Sequence, residues 1–243
     1  MNLIVDVGNS RVKYGVATPH GEIVEMVSSG DFDEKIVEDL LSRHALSRAI
    51  LSSTRGDQSS AVEAIRRTVG GCVNLDSQTP MPLGNNYATP STLGVDRLAV
   101  AIGAREIYGR VNLLIVDVGT AITIDFVSAE GNFEGGFISP GVRLRLRALH
   151  DFTASLPLCE PSEEVVELAR TTKDAITHGV MNGIKFEIEG YISTFMQKYE
   201  KLSVIFVGGD AIFFEKRIKN AIFANQELLL CGLNRILEYN AEV

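Results

Sequence analysis

Asp6, Val7, Gly8, Asn9, Ser10, Arg11, Val12 and Lys13 follow one another as a carboxylate, a glycine turn, short polar side chains and a lysine two residues beyond the turn. A glycine between two strands lets the backbone come close to a ligand, and successive N–H groups there form an anion-binding nest. Asn9 and Ser10 add donors. Lys13 can set an ammonium beside a phosphoryl group, and Asp6 can hold a Mg²⁺ ion or its waters. The same residues equally describe a hairpin turn with a solvated lysine.

The hexapeptide LIVDVG that opens this segment (residues 3–8) returns at residues 114–119. After the second copy Thr120 stands where the first has Asn9, and no lysine follows. Its expected work is complementary, with the Thr120 hydroxyl on a phosphate and Asp117 holding a cation. An aspartate that ends a hydrophobic strand is costly to bury unless it is paired or coordinated. The alternative is a strand and turn kept from a duplication.

Gly94, Val95, Asp96 and Arg97 sit where a long polar loop meets a helix. On spacing alone Asp96 reads as the helix N-cap. The pair also offers a carboxylate that deprotonates a hydroxyl and a guanidinium that grips a substrate carboxylate through paired hydrogen bonds. VGGDA (207–211) follows a strand and opens a helix, a place for a nucleotide against glycine backbone, but one Gly-Gly turn is weak. NFEGGFISPG (132–141) reads as a hairpin partner whose glycines are as weak a site signal, with a mere turn as the alternative, and the arginines of 143–147 read as a solvated face.

These groups need elements to position them. Residues 2–28 alternate β-branched runs with turns and predict three antiparallel strands. Phe32, Ile36, Val37, Leu40 and Leu41 have helical spacing, with Asp31 as N-cap. A strand (49–53), a helix (58–69) and a strand (72–75) follow. Residues 79–94, rich in Pro, Gly, Asn and Thr, form a long loop that carries Tyr87, and a loop of that length in a compact domain is usually functional or disordered. A helix (96–109) leads to the second half. There the pattern restarts with strands, then helices from Val142 onward, a long helix over 172–201, a strand (202–209), a helix opening at Asp210 and a last helix over 226–240. Gly179, Gly183 and Gly190 weaken the long helix or mark close helix–helix approach. The reading is two duplicated α/β halves, 1–111 and 112–243, enclosing a cleft.

With 243 residues, 45% hydrophobic and 22% charged, the chain has material for a substantial core. A net charge of −8 and the lack of a Lys/Arg-rich stretch argue against nucleic-acid binding. No apolar run is long enough to span a bilayer, so a cytoplasmic protein without membrane partners is expected. The three cysteines and four histidines show no disulfide or metal-ligand spacing.

Taken in order, DVGNSRVK, the Tyr87 loop ending in LGVDR, DVGTAITID, GGFISPG, the stretch from Thr172 and VGGDA resemble the type III pantothenate kinases over nearly the whole chain. The resemblance implies the acetate kinase, sugar kinase, Hsp70 and actin superfamily, in which two ribonuclease H-like halves with mixed sheets and flanking helices enclose ATP. It implies phosphorylation of the primary hydroxyl of pantothenate, the first step toward coenzyme A, by homodimers that need K⁺ or NH₄⁺ besides Mg²⁺ with ATP. Carried over residue by residue, Asp6 to Lys13 and Thr120 bind ATP and Asp117 holds the monovalent cation. Tyr87, Gly94, Val95, Asp96, Arg97 and Thr172 line the pantothenate site, with Asp96 as proton acceptor. Phe137 departs from the pattern, standing where many relatives have glycine. Alternatives are a superfamily kinase with another small acceptor, or a nucleotide-binding regulatory protein.

Overall fold

The computed structural model describes residues 1–219, 221–223 and 227–242. In chain order the first elements are β1 (Asn2–Val7), β2 (Val12–Ala17), β3 (Ile23–Ser29), α1 (Glu34–Arg43), β4 (Arg48–Ser53), α2 (Ser59–Val69), β5 (Cys72–Asn74), β6 (Gly84–Asn85) and α3 (Val95–Tyr108). Then come β7 (Asn112–Val118), β8 (Ala121–Val127), β9 (Asn132–Pro140), α4 (Val142–Asp151), α5 (Thr172–Lys198), β10 (Leu202–Val207), β11 (Ile222–Phe223) and α6 (Glu227–Glu242). The chain divides into two compact units. One gathers Met1–Gly109, Gly131–Phe133 and Glu227–Val243, the other Arg110–Glu130 and Glu134–Gln226.

In the first unit the strand order is β3-β2-β1-β4-β5. β1 is antiparallel to β2 and parallel to β4. Every residue of β1 is buried, which is why Leu3, Ile4 and Val5 are apolar in succession rather than alternating with polar residues. Leu3, Val5 and Val7 pack with α1 and α2 residues such as Leu40 and Ile65. Period-two alternation sends Asn2, Ile4 and Asp6 to the opposite face. On that face the Asn2 amide donates to Asn234 Oδ1 of α6 at 2.8 Å. α3 and α6 cross at glycines: a Cβ on Gly103 would overlap the Leu228 carbonyl oxygen, and one on Gly232 would overlap that of Ala99.

The second unit repeats the plan in the order β11-β10-β7-β8-β9, with β7 antiparallel to β8 and parallel to β10. Leu114, Val116 and Val118 pack with Leu146 of α4 and with Met181 and Ile184 of α5. β6 pairs in parallel with Asn132 and Phe133, all four residues lying in the first unit. The molecule is thus α/β, with two mixed sheets flanked by helices, as the repeat predicts.

Several local expectations are corrected. The N-cap of α1 is Asp33, which accepts from Lys35 N at 3.0 Å. Asp31 is two residues too early to reach those amides and pairs with Arg55 instead. Helix does not continue through 152–171, where Pro157 and Pro161 remove donors. After Asp210 there is only a 3₁₀ turn, Ala211–Phe214, in a run of aromatic and β-branched residues with low helix propensity. Gly179, Gly183 and Gly190 of α5 have open space beside them, so they mark no close approach. Gln226, where the sequence starts the last helix, lies outside the described residues.

Candidate active site

Asp6 is the last residue but one of β1 and is 5% exposed. Its register partners are Lys13 on β2 and Ser52 on β4, so three polar side chains form a row across one face of the sheet. Burial raises the Asp6 carboxyl from 3.8 to about 6; the Lys13 ammonium pulls it down and the negative charge of Asp96 pushes it up. Two carboxylates and one ammonium therefore act on each other within a single unit. Ser52 is fully buried and its hydroxyl has no partner. The sequence reading missed it. The available signal was its place near the end of a strand, matching that of Asp6.

Between Val7 and Val12 the chain turns through Gly8, Asn9, Ser10 and Arg11, with Gly8 N donating to Arg11 O at 3.1 Å. Asn9, Ser10 and Arg11 are exposed. Arg55 pins the turn from outside: its Nε donates to Gly8 O at 2.6 Å and its Nη1 lies 2.9 Å from Asp31.

Asp96 is not the helix cap that spacing favours. Gly94 is the N-cap of α3, Val95 opens the helix, and Asp96 lies in its first turn. A Cβ on Gly94 would stand 2.5 Å from Asp96 Oδ1, so the glycine makes room for that carboxylate. Asp96 Oδ1 accepts from Arg97 N at 2.9 Å. The positive end of the helix dipole favours an anion here.

Arg97 is 8% exposed. Its guanidinium carbon lies 5.8 Å from the centre of the Tyr87 ring and 5.6 Å from that of Phe133, and the two rings meet edge to face at 6.2 Å. Tyr87 N donates to Asn85 Oδ1 at 3.0 Å, which shapes the loop. Phe133 was also missed, because an aromatic residue in a strand reads as core.

In the second unit Asp117 lies half-buried near the end of β7. The following turn is shorter than the first, with only Gly119 and Thr120 between the strands, and Thr120 is exposed. Gly141 N donates to Thr120 O and Asp210 N to Val118 O, both at 3.0 Å. A Cβ on Gly208, at φ +98°, would overlap Asp117 Oδ1 and Val118 O; one on Gly141 would overlap Gly119 O and stand 2.5 Å from Thr120 O. The two weak glycine motifs thus pack against the Asp117 turn. A carboxylate among backbone carbonyls is a donor set for hard cations. Among the described residues no three metal-ligating side chains cluster.

Phe137 packs on Tyr191 of α5 with ring centres 4.4 Å apart. Arg145 is not simply solvated: it pairs with Glu187 at 2.5 Å. Thr172 is the exposed first residue of α5, on an open groove of about 750 Å³ between α4 and α5 that Leu149, Phe152, Ile176 and Val180 also line.

The type III pantothenate kinase family model matches residues 2–194. A type III pantothenate kinase of Phocaeicola vulgatus is 39% identical over 240 residues, covering 99% of each chain. A solved structure from Campylobacter jejuni, described as a conserved Baf family transcriptional activator, matches with TM-score 0.64 at 21% identity over 99% of this chain and 100% of that one. Another, from Sinorhizobium meliloti and described as a 2-dehydro-3-deoxygalactonokinase, matches with TM-score 0.63 at 12% identity over 100% of both chains. At such identities the two structures speak to the fold alone. On its sequence, this chain belongs to the type III pantothenate kinase family.

Proposed function

We propose that Asp6, Lys13 and Asp96 form the phosphoryl-transfer centre of this pantothenate kinase, which passes the γ-phosphoryl group of ATP to the primary hydroxyl of pantothenate. The carrying observation is the register that sets Lys13 and Ser52 on either side of the buried Asp6 across one sheet face, in the unit that also holds Asp96 in the first turn of α3. Phosphoryl transfer needs in-line positioning and charge neutralisation more than a strong base. The turn from Gly8 to Arg11 offers backbone donors to the phosphates, and Lys13 neutralises their charge. Asp96 orients the alcohol and takes its proton late, as the new O–P bond forms and the bond to the ADP oxygen breaks. Arg97 pairs with the pantothenate carboxylate, which lets an acidic protein hold an anionic substrate. Tyr87, Gly94 and Val95 line the same substrate site, while Thr172, as a substrate contact supplied near or across the dimer interface, and Thr120, as a phosphate contact, are roles that the family resemblance implies.

The kinase family implies ATP and a divalent metal ion, which when bound neutralises phosphate charge. Asp6 fits Mg²⁺ or its waters, since a cation would offset the cost that burial imposes on its charge. Asp117 with the neighbouring carbonyl oxygens fits K⁺ or NH₄⁺. The proposed homodimer is supported by the apolar groove beside Thr172 and by Phe152, which is 88% exposed. The sequence duplication is read as 1–111 and 112–243. No described helix is long and apolar enough to cross a membrane, and a cytoplasmic location is proposed.

The test is to incubate the purified protein with ATP and Mg²⁺, in K⁺ or in Na⁺, with pantothenate, acetate or hexoses. The expected result is 4′-phosphopantothenate only, formed faster in K⁺. Phosphorylation of another acceptor in preference to pantothenate would overturn the reading.

A further inference from the structure

We infer that Phe133 is a positioning residue for acid recognition: with Tyr87 it holds the Arg97 guanidinium against ring faces, so that the guanidinium edge is presented to the substrate carboxylate. The inference rests on Arg97 being the partner of that carboxylate. A guanidinium has five N–H donors in its own plane and stacks on aromatic faces without using them. The two rings, 5.8 and 5.6 Å from the guanidinium carbon, are within cation–π range. They stabilise a buried cation and leave its directional bonding intact.

The clamp is fixed by main chain. Gly84 N donates to Gly131 O and Asn86 N to Phe133 O, both at 2.9 Å, while Gly84 and Asn85 pair in parallel with Asn132 and Phe133. That short ladder joins the segment bearing Phe133 to the loop bearing Tyr87. On its other side Gly131, at φ +95°, lies against Arg105 of α3: a Cβ there would stand 2.6 Å from Arg105 Nη2. Gly131, two residues before Phe133, therefore lies against the helix that carries Arg97. Phe133 itself is fully buried.

The test compares wild type, Phe133→Met, Arg97→Met and the double variant by steady-state kinetics with pantothenate and ATP varied separately. Methionine is apolar and flexible enough to fill the space, yet it has no ring face. A Phe133→Leu variant gives the same comparison should the methionine variant fold poorly. The expected result is a pantothenate KM raised about fivefold to tenfold by Phe133→Met, an ATP KM within twofold of wild type, and no further rise when Phe133→Met is added to Arg97→Met. If Arg97→Met raises the pantothenate KM and Phe133→Met does not, or both KM values rise together, the clamp is wrong while Arg97 stands. If Arg97→Met leaves the pantothenate KM unchanged, the underlying reading of Arg97 fails and the clamp with it.

Discussion

Asp6 carries a stability cost that its position makes measurable. Its pKa is raised in the fold from 3.8 to about 6, so the neutral form is favoured there. Below pH 4 the carboxyl is protonated in folded and unfolded chains alike and costs nothing. Between about pH 4 and pH 6 the unfolded chain gives up its proton while the folded carboxyl keeps it, so stability falls across that window by on the order of 3 kcal/mol at most and levels off above it, where the folded protein holds a buried charge. Asp6→Asn removes that charge. Ligand-free Asp6→Asn protein should therefore melt higher than wild type at pH 8, with the difference vanishing near pH 4, in thermal scans across that range. An equal effect at both pH values would contradict the burial argument. Asp6 and Asp117 were legible in sequence because an acid at the same place in both copies of one apolar hexapeptide is conspicuous. Ser52 and Phe133 were not, since a serine or phenylalanine in a strand has an ordinary structural explanation. Their relevance comes only from register and from the neighbours that folding supplies.

At the scale of elements, helix propensity and packing make opposite predictions at the α3–α6 crossing. Replacing glycine by alanine inside an exposed helix stabilises it by about 1 kcal/mol. At Gly103 or Gly232 the added methyl would overlap the facing helix backbone, and overpacking of this kind costs about 1–3 kcal/mol. Either Gly103→Ala or Gly232→Ala should lower the midpoint of urea unfolding; a rise would show that the helices separate freely. A glycine within a helical pattern looks like a defect, so this crossing was invisible in sequence, whereas the glycines suspected in α5 face open space. The strands and most helices were readable from period and turn residues. The residues after Asp210 were not, because Phe214 and Ile218 are buried in a core that sequence periodicity does not reveal.

At the scale of the whole molecule, the duplicated plan was legible from one repeated hexapeptide, while the membership of the final helix in the first unit was not. Self-association is the prediction proper to this scale. If the groove beside Thr172 lies in the dimer interface, Phe152→Asp places a charge where apolar surface should be covered. Sedimentation should then show a dimeric wild type and a largely monomeric variant; an unchanged mass would remove that face from the interface. Activity belongs to this scale as well, since it needs nucleotide, acid and alcohol together. The most direct test of the central claim is turnover of ATP and pantothenate to 4′-phosphopantothenate by wild type and Asp96→Asn, alongside ATP binding by each. The expected result is product from wild type, ATP affinity retained in the variant, and a kcat roughly 10²–10⁴-fold lower; near-normal turnover by Asp96→Asn would contradict the account.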